Sequence, residues 1–157
     1  MSQKKNKHKG ANTKAVIQAV KRAFKKEGYE YDFHKEENTF VSGFNTDGVG
    51  ISFLLIVRKE MMSFVCGPEF EDMFTNTGKL LPVLNELNSK IPCGSFYHKA
   101  ESGRIFFEMG CPMAESDIGE KFFISLLDRA LATAASGAKV IREKVDVSEE
   151  DSGSMYC

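Results

Sequence analysis

Tryptophan is absent from the 157-residue chain, proline and cysteine occur four times each, and the formal net charge is only −1. The cysteines stand at 66, 93, 111 and 157 with no C-x-x-C pair. So sparse a set excludes a disulfide-built secreted scaffold and reads as reduced thiols in a cytoplasmic chain. Near-zero charge beside 42% hydrophobic residues excludes a disordered chain, and thirteen glycines with four prolines exclude a collagen-like one. Long apolar runs are missing too. The densest, Ile51–Val57, falls far short of the roughly 20 residues of a membrane-spanning helix. The polar, basic start is followed by no apolar secretion segment. A cytoplasmic protein without membrane contact is expected.

What is present is phenylalanine and an uneven distribution of charge. Thirteen phenylalanines supply bulk for one core in one domain. Residues 1–26 carry nine bases and no acid, residues 146–157 four acids and no base, and the stretch between them is net −6. The expected organisation is a basic flexible arm over 1–11, a single domain over 12–145 and an acidic flexible tail over 146–157.

Hydrophobic spacing orders the domain. Ala15, Val16, Ala19, Val20, Ala23 and Phe24 recur at three and four, predicting a helix from Asn12 to Lys26 that Gly28 stops. Tyr29–Phe33 reads as an extended entry. Runs at Thr39–Phe44, Val49–Val57 and Met61–Cys66 alternate as strands, with Asp47-Gly48 a hairpin signal and Gly67-Pro68 an end. A second helix is predicted over Lys79–Lys90, with Pro82 near its first turn. A hairpin of Ser95–Lys99 and Arg104–Met109 follows, then a long helix capped by Ser116 and apolar along Ile118, Phe122, Phe123, Leu126, Leu127, Ala130, Leu131 and Ala134. The fold class is α+β: an antiparallel sheet of about five strands with helices mainly on one face.

Chemistry-bearing constellations are scarce. No two of His8, His34, His98 and the cysteines have zinc-site spacing, although Cys93, His98 and Cys111 flank one hairpin. Cys111, between Gly110 and Pro112, sits in no nucleophile signature, and Gly43, Gly48 and Gly50 fit no phosphate-binding loop. The carboxylates at 36–37, 69–72 and 149–151 lie in polar segments, without the apolar surroundings that raise a pKa for acid catalysis. No catalytic, cofactor or metal residue is assigned.

The element order, with Leu84-Asn85-Glu86-Leu87-Asn88, then Gly94-Ser95-Phe96-Tyr97, then Gly103-Arg104-Ile105-Phe106-Phe107-Glu108, resembles the YbjN-like family of the type III secretion chaperone-like fold. The resemblance covers residues 12–144. It implies a bacterial, non-enzymatic module of sensory-transduction regulation, binding a protein or peptide and acting as a homodimer. Asn85 and Asn88 also have a direct reading, as amides that satisfy backbone groups where the helix turns into the next strand. Depending on register, Leu54 and Ile56 or Phe107 and Met109 lie on the sheet face left for a partner. The alternative is nucleic-acid or anionic-surface binding through Lys4, Lys5, Lys7, Lys9, Lys14, Lys21, Arg22, Lys25 and Lys26.

Overall fold

The computed structural model describes residues 13–71, 74, 77–113 and 118–146. Helix α1 (Thr13–Glu27) is followed by β1 (Asp32–His34), β2 (Thr39–Thr46), β3 (Val49–Val57) and β4 (Met61–Pro68). Helix α2 (Thr77–Lys90), β5 (Ser95–Lys99), β6 (Arg104–Pro112) and α3 (Glu120–Asp146) complete it. The expected order and class hold, with a sixth strand where an extended entry segment was read.

Local chemistry sets each boundary. Gly28, at a φ of 72°, closes α1: its N–H bonds to the Lys25 carbonyl, and the Tyr29 N–H bonds to that of Phe24 at 2.9 Å. This pair of hydrogen bonds is a Schellman cap, and the Tyr29 ring packs edge-on against Phe24 in support. Asp47 and Gly48 take positive φ values of 50° and 79° between the paired Thr46 and Val49, so the Asp-Gly signal makes the two-residue hairpin it predicts. Pro68 does not lie outside β4 but ends it, opposite Ile51. It is tolerated because pairing with β6 has already stopped at Cys66, so no partner needs its missing N–H. Helix α2 begins two residues before the predicted start, which puts Pro82 in its second turn. Gly78, whose carbonyl loses its helical donor, is exposed, and water can replace the bond. The proposed cap Ser116 lies outside the described residues.

The sheet is antiparallel throughout, in the order β1-β2-β3-β4-β6-β5. All three helices lie on one face, α3 between α1 and α2 and across β2, β3, β4 and β6. Phe24, Phe40, Phe53, Phe64, Phe107 and Phe123 are fully buried between the layers. Phe123 meets Phe24 at 5.7 Å and Phe64 at 5.8 Å, joining both helices to the sheet through one aromatic chain. Phe122, expected in the core, is 54% exposed. The buried line of α3 runs through Phe123, Leu127, Ala130, Ala134, Ala138 and Ile141, and Phe122 stands one helical step, about 100°, away from it.

Gly137 shows why α3 carries small residues over the hairpin. A Cβ there would overlap the tip of the Phe96 ring of β5. At an unhindered helix site Gly→Ala stabilises by about 0.8–1.0 kcal/mol. Gly137→Ala should instead lower the thermal midpoint. Phe123→Ala should cost about 3–5 kcal/mol in urea unfolding, and Phe122→Ala about 0.5 kcal/mol or less.

Candidate functional site: the open face of the sheet

With the helices on one side, the other face of the sheet has no layer over it among the described residues. Register decides who stands there. Leu54 faces Val41 on one side and Val65 on the other, while Ile56 faces Thr39 and Ser63. Glu108 continues the Leu54 row beyond Val65. Thr39, Ser63 and Val65, only 8%, 3% and 9% exposed, are closed in by their neighbours, leaving Val41, Leu54 and Ile56 half-buried as the accessible apolar strip.

The strip ends in a cluster of aromatic and cationic side chains. Tyr97 stacks on Phe106 at 5.7 Å and 27°. The guanidinium of Arg104 sits 5.1 Å from the Phe106 centroid and the Lys99 ammonium 5.5 Å from it, both as cation–π contacts. Gly67 makes the slot beneath them, since a Cβ there would come within 3.1 Å of the Phe106 ring and 3.2 Å of the Arg104 guanidinium. Burial pushes the Tyr97 phenol above its ordinary range, and the nearby, hydrogen-bonded Glu108 carboxylate pushes it further. Tyr97 therefore remains a neutral donor at physiological pH.

Leu54 and Ile56 thus lie where expected. Phe107 and Met109 do not: they are 0% and 1% exposed, on the helix side. The pairing of β6 with β4 sets Phe107 opposite Cys66 and Met109 opposite Phe64, both core residues. The parity change turns Phe106 and Glu108 outward instead. Phe106, half-buried, belongs to the open face.

In the segments that carried the family resemblance, Asn88 and Gly94 have structural roles. Asn88, in the last turn of α2, donates from Nδ2 to the Phe96 carbonyl at 2.9 Å and accepts from the Phe96 N–H on Oδ1 at 2.7 Å. Its amide takes the place of a strand neighbour along the sheet edge formed by β5. Asn85 is exposed on the same helix. Gly94, at a φ of 88°, has the Phe107 ring 2.6 Å and the Glu108 carbonyl 2.7 Å from where a Cβ would be. A family model named YbjN, described as "Putative bacterial sensory transduction regulator", matches residues 17–143. The chain belongs to the YbjN family. No curated protein and no solved structure matches it.

In this YbjN chain the remaining candidate groups are dispersed. Among the described residues no three metal-ligating side chains gather. Cys93 is exposed after α2, Cys111 is partly buried near the end of β6, and Cys66 is enclosed in the core. The His98 Nε2 is buried without a hydrogen-bond partner among the described residues. Burial pushes the Cys66 thiol up to about 12 and, with a smaller effect of Cys93, raises that of Cys111. Neither has the depressed pKa of a nucleophile. Of the basic residues proposed for anions, Lys4, Lys5, Lys7 and Lys9 lie outside the described residues. Lys21 sits 4.3 Å over the Phe33 ring and Arg22 pairs with Glu120 at 2.8 Å, while Lys14, Lys25 and Lys26 are exposed. No described helix is long and apolar enough to cross a membrane.

Two titrations check this site. Glu108→Gln should bring the phenolate absorbance transition of Tyr97 to lower pH while leaving it above the usual tyrosine range, because burial remains. In a Cys157→Ser chain at mildly alkaline pH, a thiol reagent should label Cys93 first, Cys111 slowly and Cys66 only on unfolding.

Proposed function

We propose that this regulator is non-enzymatic and works through protein contact: it binds a protein or peptide segment on the open face of its sheet, and in the absence of that segment the same face pairs with a second copy as a homodimer. The observation that carries this reading is the accessible strip of Val41, Leu54 and Ile56 running towards Tyr97, Phe106 and Arg104. Apolar side chains flanked by Tyr, Phe and Arg are the composition of an interface centre. Among the described residues no three metal-ligating side chains gather and the Cys66 and Cys111 thiols are raised in pKa, so catalysis has no comparable support. Binding of nucleic acid or an anionic surface has less support than the face, because Lys21 and Arg22 of α1 already have intramolecular partners.

Sedimentation over a concentration series should show a monomer–dimer equilibrium. Ile56→Lys should weaken the dimer about tenfold or more, which corresponds to about 1.4 kcal/mol. A chain that stays monomeric at every concentration and binds no hydrophobic dye would overturn the reading.

A further inference from the structure

The two edges of the sheet are finished differently. At β5 the outward amide and carbonyl of Phe96 are taken by Asn88. At the other edge β1 is only three residues long and pairs with β2 at Thr39, Phe40 and Val41 alone. The rest of β2 runs on to Thr46 with no strand on its outer side among the described residues.

The cause is the route of the chain. Helix α1 ends in the helix layer, and Tyr29–Tyr31 must descend from that layer to the sheet before β1 can begin. The Ser42 hydroxyl, on the helix side of β2, donates to the Glu30 carbonyl at 2.7 Å and holds the descending segment above the edge. Below it opens a shallow cleft of about 670 Å³, with Glu30, Tyr31 and Asp32 on one wall and Val41, Ser42 and Gly43 on the other.

Antiparallel geometry fixes what this edge presents. Thr46 and Val49 flank a two-residue turn and bond to each other, so backbone direction alternates back along β2 from Thr46. Phe44 and Ser42 then point their N–H and C=O groups to β3, whereas Asn45, Gly43 and Val41 point theirs outward. Val41 meets Asp32 of β1. Gly43 and Asn45 are exposed, and no described residue bonds to their backbone. Edges are usually blunted by a lysine, a proline, a bulge or a cover, and this stretch has none of them among the described residues. Its only nearby charges on the cleft wall are the exposed carboxylates Glu30 and Asp32.

We propose that Gly43–Asn45 is a strand-docking edge, which captures an extended, basic peptide segment of a partner protein in the line that a longer β1 would occupy. The backbone of Gly43 and Asn45 supplies the ladder bonds, and Glu30 and Asp32 select a lysine or arginine on the incoming strand. Gly43, with nothing but the Ile51 carbonyl at 3.9 Å from where its Cβ would be, leaves room for a large side chain over the open face. This edge is distinct from the strip at Leu54 and Ile56, and neither proposal stands on the other.

The test uses the full chain, ¹⁵N-labelled, and an acetylated, amidated heptapeptide of alternating lysine and valine. Titration should shift the Gly43 and Asn45 amides and protect them from hydrogen exchange. N-methylation of one alternate set of peptide residues should abolish the effect and that of the other set preserve it, because only one set of N–H groups faces β2. Asn45→Pro removes an outward donor without touching the β2–β3 ladder and should weaken binding about tenfold or more. Asp32→Lys should disfavour the lysine peptide and favour its glutamate counterpart, while Ile56→Lys should leave peptide binding unchanged. No shift at Gly43 and Asn45 at millimolar peptide, or equal effects of the two N-methylated sets, would overturn the proposal. So would concentration-dependent protection of these amides in the free chain, which would assign the edge to a second copy.

Discussion

The packing of Phe123 between Phe24 and Phe64 is the contact on which the rest of the molecule depends. It joins α1 to α3 and α3 to the middle of the sheet, and Phe24 extends it to Tyr31 and Phe40 at 5.1 and 5.8 Å. Aromatic rings this large, fully removed from water, contribute more than any other side chains in the layer. Once α3 is seated there, α1 and α2 have only the flanks to occupy. All the helical cover goes to one side, and the opposite face of the sheet is left without any among the described residues.

That asymmetry organises the candidate surfaces. The open face owes its aliphatic strip to the side of β3 that α3 does not cover. Its aromatic and cationic end depends on Gly67, which lets Phe106 and Arg104 lie down against β4. The unfinished edge has the same origin. A chain leaving a helix in the upper layer needs several residues to reach the sheet, and those are the residues by which β1 falls short of β2. At the far edge α2 ends directly above β5, close enough for the Asn88 amide to complete the backbone there.

Much of this was legible in the residue pattern. The helical period of α1, the alternation of β3, the Asp47-Gly48 hairpin and the stop at Gly28 are local signals, and each formed the element it indicates. Asn88 was legible as a residue satisfying backbone where helix turns into strand. Strand β1 was harder to read, because three residues cannot establish an alternation. Phe106 and Phe107 were ambiguous for a different reason. Two adjacent phenylalanines fit either parity, and only pairing of β6 with β4 turns Phe107 to the core and Phe106 outward. On α3, Phe122 and Phe123 posed the same ambiguity, resolved by the line of contact with the sheet.

The scarcities of the sequence therefore determined a good deal by themselves: an α+β class with a phenylalanine core and no long apolar run. These follow from composition and from short-range periodicity, which act within a few residues along the chain. The tertiary structure alone decided which face of the sheet stays open, which of two neighbouring rings meets a partner, and which edge is sealed. Those outcomes depend on register and on the path between layers. Both are set by contacts between residues far apart in sequence, such as Phe24 with Phe123 and Cys66 with Phe107.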